Sequence, residues 1–463
     1  MKKPRLLLAG AHSGAGKTSV AAGLMSALVR RGLTVQPYKA GPDYIDPAFH
    51  TFVTGRQSRN LDSWMLDQAT VLALFGHQAP EAGQGLSVIE GVMGLFDGHL
   101  EEAAGSSAHL AGILAAPVVL VINGAGQARS AAALVRGFDN FEPGLRLAGV
   151  IINQTSSAAH YEMLKAFVEN EAGVPSFGHL LKNPALALES RHLGLVPAGE
   201  VADLSARLGH LAEAAAATLD LDGLVKLAEA APELDIPPLP GPPEPPAGPP
   251  VRLGLARDAA FNFYYQDALD LLVRLGAELV AFSPLADAAL PPDLAGLYLG
   301  GGFPEIFAKD LAANRGLREE IRLALEDGLP AYAECGGLMY LARTLVDKNG
   351  QTFEMAGFFP VTTVMGTRLK NFGYATVVFE AATVLGPAGT RVRAHEFHHS
   401  RIADETEDYV LRMEKSPGRT WRGGLARKNV LAAYPHIHFA ANPALAVNFL
   451  ENCRSHRLGK NHG

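Results

Sequence analysis

Nine of the fifteen residues in "IPPLPGPPEPPAGPP", residues 236 to 250, are proline. Each proline removes a backbone donor and holds φ at about −65°, so this run cannot sit inside a helix or a central strand and acts as a semi-rigid tether. The chain must therefore fold on either side of it, as residues 1–235 and residues 251–463. Its full length of 463 residues is about three times a usual single domain, which also predicts two large domains. A hydrophobic fraction of 48% provides for two buried cores.

Both halves carry the same pattern. Before the tether, "RLLLAGA", "TVQPYKA", "SVIEGVMG", "PVVLVIN" and "LAGVIIN" are short runs apolar on both faces, separated by Ala/Leu-rich helical stretches. Strands buried on both sides belong to parallel sheets flanked by helices. After the tether, "VRLGLA", "AELVAFSP", "GLYLGGG" and "PAYAEC" repeat the pattern, and residues 351 to 400 turn to aromatics, threonine and valine, as antiparallel strands do. The spacing predicts a last helix from Asn442. The fold class expected is two α/β domains, the first a parallel-sheet domain with a phosphate loop.

That loop lies in "LLLAGAHSGAGKTSV", residues 6 to 20. Glycines let consecutive N–H groups converge on phosphate oxygens, a lysine reaches the outer phosphates and a hydroxyl serves magnesium. Gly14, Gly16, Lys17 and Thr18 supply these parts, although Ala11 stands where the strict pattern has glycine. The preceding apolar strand and following helix are the context that such a loop requires. Magnesium also needs carboxylates. "YKAGPDYIDP" places Asp43 and Asp46 beyond the second strand, and "VIEGVMGLFDG" places Glu90 and Asp97 at and beyond the third. Ligands of open α/β sheets bind at those strand ends. Thr18, Asp46 and Glu90 are the candidate metal contacts, and Asp43, Asp46 and Asp97 the candidate substrate contacts. Asn153, after another buried strand, is a candidate for reading a nucleotide base or for capping a turn.

The second half holds a candidate nucleophile. "GLPAYAECGGLMYLAR" reads as a strand, a sharp turn at Cys335 and a helix from about Gly336, an arrangement that favours thiolate and brings N–H groups toward an oxyanion. Gly336, with Gly301 and Gly302 of "LGGGFPE", are the candidate oxyanion donors. "AAYPHIHFAANP" offers His436 and His438, read as two residues on one face of a strand and candidates for the base. Cys453, on the last helix, reads as a packing thiol. His395, His398 and His399 in "RAHEFHHSR" suit hydrogen bonding better than metal binding, because no cysteine pair or acidic set accompanies them.

A net charge of −7 argues against nucleic-acid and anionic-membrane partners. Two distant cysteines and no long apolar run suit a cytoplasmic chain without disulfide framework, signal peptide or membrane span. A homodimer is an assembly open to it.

The order "GPDYIDP", "EGVMGLFDG", "RHLGLVPAGE", then "LGGGFPE", "ECGGLMYL", "HEFHHS" and "YPHIHF" resembles the cobyrinic acid a,c-diamide synthases along nearly the whole chain. The resemblance implies a first domain of the dethiobiotin synthetase type and a second of the class I glutamine amidotransferase type. It implies ATP, Mg²⁺ and L-glutamine as reactants, and a tetrapyrrole carboxylic acid as substrate. It makes Cys335 the thioester nucleophile and His436 its base. His438 occupies the place where other class I amidotransferases carry glutamate, which leaves the third member of the triad open. Lys17, Thr18, Asp43, Asp46, Glu90 and Asp97 match residues that handle ATP, magnesium and the substrate carboxylate. Asn123 and His399 depart from the pattern, where aspartate and tyrosine are expected. The implied reaction is amidation of acetate carboxylates through an acyl phosphate. Sirohydrochlorin or sirohaem is the alternative substrate, and a nucleotide switch with an inactive amidotransferase half the alternative function.

Overall fold

The structure, a computed structural model, describes residues 1–99, 103–183, 190, 191, 194, 195, 204–242, 248, 250–404, 408–416 and 418–461. Most of "RHLGLVPAGE" and the middle of the proline segment lie outside the described residues. The chain divides into two compact units, Met1–Leu239 and Pro240–Gly463, so the break falls within the proline segment.

The first unit is built on a seven-stranded sheet in the order Arg59–Leu61, Thr34–Ala40, Gly85–Gly94, Arg5–Gly10, Val118–Asn123, Leu147–Thr155 and Ser176–Leu181. Every pairing is parallel. All six residues of the central strand Arg5–Gly10 are buried, as a run apolar on both faces demands when helices cover both sides. The helix Lys17–Arg30 follows that strand, and the chain turns beyond it at Gly32, whose φ is +83°. The two outermost strands carry no long apolar run. "RNL" is three residues long, too short to announce itself by pattern.

In the second unit, Ala277–Phe282, Val251–Ala256, Gly296–Leu299, Ala331–Glu334 and Val430–Ala433 lie side by side and parallel. The sheet then continues through antiparallel pairings: Arg419–Arg427, Tyr409–Lys415 and the 21-residue strand Phe359–Phe379. The threonine- and valine-rich stretch is this long strand with its antiparallel partner Arg391–Ile402. The two-residue strand His436–Ile437 pairs with Ala394 and His395 of that partner, setting His395 opposite His436. The last helix runs Pro443–Asn461. Cys453 on it is fully buried, and a Cβ on Gly296 would come within 2.4 Å of its sulfur. Burial pushes this thiol far above its usual range, as befits a packing group.

Candidate active sites

In the first unit, the chain leaves Gly10 and enters a helix whose cap residue, Gly16, has φ +89° and to which no side chain gives a capping bond. Gly14 also has positive φ, +85°. Side chains are disfavoured at both angles, and the uncapped end presents the N–H groups that anions bind. Gly16 is needed for a second reason: a Cβ there would lie 2.0 Å from Nδ2 of Asn153. Asn153, buried at its strand end, donates from Nδ2 to the carbonyl of Ala15 at 3.0 Å. Its amide braces the loop from behind. Asn123, one of the departures from pattern, accepts the N–H of Ala125 and closes a turn.

Lys17 is buried, and its ammonium donates to the carbonyl of Met93 at 2.5 Å. Burial, and then the neighbouring Lys39, lower its pKa. Met93 itself has φ +46°, in the loop where Asp97 accepts the N–H of Gly94 at 2.8 Å. Asp97 is exposed. Asp43 is half-buried and accepts the N–H of Ile45 at 2.7 Å, at the start of the helix Asp46–Thr54.

Lys39 is the residue that motif reading passed over. It ends the strand Thr34–Ala40, and its buried ammonium lies 2.6 Å from Oδ2 of Asp46 and 2.9 Å from Oε1 of Glu90. The hydroxyl of Thr18 donates to the same Glu90 oxygen at 2.7 Å. His50 Nε2 meets the other Glu90 oxygen at 2.6 Å. Burial works against charge on Lys39, but Asp46 and Glu90 outweigh it and hold the lysine protonated. Burial alone would raise Glu90; Lys39 and His50 overcome it and hold that carboxyl well below the usual range. Burial and the charge of Asp43 push Asp46 upward. The sequence signal for Lys39 was its place at a strand end, beside acids already singled out. Breaking a buried charge pair by removing one partner costs about 3–5 kcal/mol. Lys39→Met is therefore expected to destabilise the first unit by about that amount, read by urea unfolding of Trp64 fluorescence in a Trp421→Phe background.

In the second unit, the strand Ala331–Glu334 gives way at Cys335 to the helix Gly336–Leu341. Cys335 has φ +47° and ψ −96°, a conformation that a non-glycine residue holds at a cost of about 1–3 kcal/mol. Its N–H is tied to Ala433 O at 2.7 Å, which anchors the turn to the next strand. Gly301 and Gly302 come close to this turn. A Cβ on Gly301 would lie 2.6 Å from Cε1 of His436, and a Cβ on Gly336 would lie 3.1 Å from the backbone nitrogen of Gly302. Only residues without side chains allow this approach. Gly300 differs, since its N–H donates to the hydroxyl of Tyr264.

His436 is buried. Burial lowers its pKa, but hydrogen bonds with Cys335 and Glu334 and their charges overcome that effect and push it up to about 10. His436 is thereby held as the imidazolium beside Cys335. His438 is not on the same strand face. The strand ends at Ile437, and His438 caps the short helix Phe439–Ala441, its Nδ1 accepting the N–H of Ala440 at 3.2 Å. Burial pushes it down to about 3, and it stacks on Tyr265. Two-residue alternation failed here because the strand is only two residues long. Glu334, missed by sequence reading, stands against His436: its carboxylate lies 3.3 Å from Nδ1. Of the remaining histidines, His395 faces His436 and burial holds it down at about 3. His398 stacks on Tyr434 with ring centroids 3.8 Å apart, its Nδ1 2.8 Å from the carbonyl of Ser400. His399 is half-buried on the same strand. Among the described residues, no helix is long and apolar enough to cross a membrane.

Known families divide the chain in the same way. Residues 6–196 match the CobQ/CobB/MinD/ParA nucleotide binding domain, and residues 252–444 the CobB/CobQ-like glutamine amidotransferase domain. Similar curated proteins include the cobyrinate a,c-diamide synthase of Dehalococcoides mccartyi (strain CBDB1), 42% identical over 97% of this chain and 98% of that protein. The enzyme of that name from Listeria innocua is 44% identical over 96% of this chain and 98% of its own. The Salmonella typhimurium enzyme is 43% identical over 97% and 98%. With both domains matched and the alignments spanning 96–97% of its length, this chain belongs to the cobyrinate a,c-diamide synthase family.

Proposed function

We propose that this chain amidates the a and c acetate carboxylates of cobyrinate, spending ATP to activate each carboxylate and taking nitrogen from glutamine. The observation that carries the reading is the presence in one chain of a phosphate loop ringed by acids and of a strained cysteine paired with a buried histidine. The relatives' names favour cobyrinate over sirohydrochlorin or sirohaem. A nucleotide switch with an inactive second half does not need Cys335 and His436 kept together.

A carboxylate resists ammonia because oxide is a poor leaving group. Transfer of the ATP γ-phosphoryl group to a carboxylate oxygen makes an acyl phosphate, with Lys17 offsetting the charge that shifts. Ammonia then forms the C–N bond as the bond to phosphate breaks. Asp43 and Asp97 are assigned to positioning the substrate. Thr18, Asp46 and Glu90 would hold Mg²⁺: all three are hard oxygen donors, Asp46 and Glu90 already hold one cation, the Lys39 ammonium, and the Thr18 hydroxyl lies against the same Glu90 oxygen. Bound there, the metal would supply Lewis-acid stabilisation of phosphate charge. In the second unit, the Cys335 thiolate attacks the amide carbon of glutamine, N–H groups near Gly301, Gly302 and Gly336 receive the oxyanion, and His436 gives its proton to the departing ammonia. Water then releases glutamate.

Mass spectrometry of products from a panel of tetrapyrrole acids, incubated with ATP, Mg²⁺ and glutamine, tests the reading. Each amidation replaces a hydroxyl by an amino group and leaves its own mass. Cobyrinate diamide is the expected product; conversion of sirohydrochlorin with cobyrinate untouched would overturn the substrate assignment. A metal contact and a substrate contact should also differ. Glu90→Gln is expected to raise the Mg²⁺ concentration needed for every amidation, whereas Asp97→Asn or Asp43→Asn should alter which carboxylate reacts, or release a monoamide, at ordinary Mg²⁺. Magnesium titrations with product masses recorded at each point check this.

A further inference from the structure

Glu334 is a buried acid, 1% exposed, whose carboxylate meets donors from two elements. Its Oε1 accepts the hydroxyl of Tyr332 at 2.7 Å and the N–H of Ile437 at 3.2 Å, and its Oε2 lies 3.3 Å from Nδ1 of His436. A carboxyl group out of water is costly to bury without partners, and these three contacts supply them. The residue two places after His436, where a triad acid is expected, is His438, which caps a turn with its Nδ1 and is held uncharged by burial.

We propose that Glu334, the residue immediately before the nucleophile, is the positioning carboxylate that holds His436 in its working tautomer and steadies its imidazolium. The acid thus comes from the nucleophile's own strand instead of the base's. The Nδ1–H of His436 donates to Glu334, which leaves Nε2 to face the sulfur of Cys335. During release of ammonia the C–S bond forms, the C–N bond breaks, and the proton passes from Nε2 to the leaving nitrogen. Glu334 keeps accepting the Nδ1–H bond and takes no proton itself.

The surroundings leave this role to Glu334. Among the described residues, the titratable groups set against His436 include Cys335 across the turn, Glu334 on the strand Ala331–Glu334, and His395 on the opposite strand. His395 is held neutral by burial and so provides no negative charge. Tyr332 and Tyr298, packed beside Glu334, are pushed well above the ordinary tyrosine range by burial and by the Glu334 charge. They remain neutral donors.

This role rests on the reading of Cys335 and His436 as the ammonia-releasing pair, and the test separates the two. Glu334→Gln is expected to lower the glutaminase kcat by roughly 10²- to 10⁴-fold with KM for glutamine little changed, while ammonia-driven amidation persists. In the wild-type protein, the rate of Cys335 alkylation by iodoacetate should fall at its alkaline limb near pH 10, where His436 loses its proton. In Glu334→Gln that limb should move to lower pH, and Glu334→Asp should restore part of the shift. A glutaminase rate within about threefold of wild type, or a loss of kcat with the alkylation profile unmoved, would overturn the role. A measurement on unaltered protein guards against misfolding of the variants. The ¹⁵N shifts of His436, assigned by difference with His436→Gln, should report a protonated Nδ1 throughout the active pH range. An unprotonated Nδ1 overturns the proposal. Wild-type protein that hydrolyses no glutamine would remove the underlying reading and this role with it.

Discussion

Cys335→Ala is expected to abolish glutamine-dependent amidation, by roughly 10⁴-fold or more, and to leave ammonia-driven amidation near the wild-type rate. The expectation follows from what the thiol does and where it sits. In the proposed reaction it is the group that forms a bond to glutamine's carbon, and neither the strained φ at residue 335 nor the Gly301 and Gly302 approach replaces a missing nucleophile. Alanine also removes little volume, and the helix Gly336–Leu341 starts on backbone bonds that do not involve the sulfur. In the proposed reaction the other unit, with its phosphate loop, needs only ammonia from this one. Rates with glutamine and with ammonium chloride, measured on the same preparation, decide the matter: equal loss with both donors would count against separate sites. Cys453→Ala is the contrast, because a thiol packed against Gly296 with its pKa driven upward should leave both rates close to wild type.

Lys17→Ala should remove amidation with either nitrogen source and spare glutamine hydrolysis. Losing one preorganised cation from a buried phosphate site costs about 10²- to 10³-fold in rate, and Lys17 is also partly desolvated, which readies it for an anion. Its ammonium now rests on the carbonyl of Met93. A nucleotide's phosphate oxygens offer a charged acceptor in place of that neutral one, and charge-assisted bonds are the stronger. ATP-dependent formation of amide from ammonia, followed in parallel with glutamate release, measures both halves. Normal amide formation by this variant would show that the phosphate loop does not activate the carboxylate.

Much of this is legible in the sequence. Strands apolar on both faces announced parallel sheets, the proline run announced a division of the chain, and the phosphate loop and the cysteine turn each announced themselves by local chemistry. Glycine at 14 and 16 and the change from strand to helix at Cys335 are local facts, set by φ and by what a side chain excludes. The edge strands Arg59–Leu61 and Ser176–Leu181 were not legible, because an edge strand is chosen by the neighbour it pairs with. Nor was the brace that Asn153 gives the phosphate loop, because the carbonyl of Ala15 to which it donates is 138 residues away in sequence.

By itself the sequence determined which residues are candidates for chemistry and which backbone turns present them: Lys17 and Thr18 at a helix start, Cys335 between strand and helix, and acids at strand ends. Only the tertiary structure decided how those groups are paired. His436 and His438 look alike in "PHIHF", yet one meets Cys335 and Glu334 and is driven toward the imidazolium, while the other caps a turn and is held neutral. Lys39 looks like an ordinary strand-end charge, yet it shares a buried network with Asp46, Glu90, Thr18 and His50. The physical reason is that side-chain type and backbone propensity are local, whereas burial and the nearest opposite charge come from strands brought together across long stretches of chain. Those two quantities set protonation, and protonation separates a working group from a structural one.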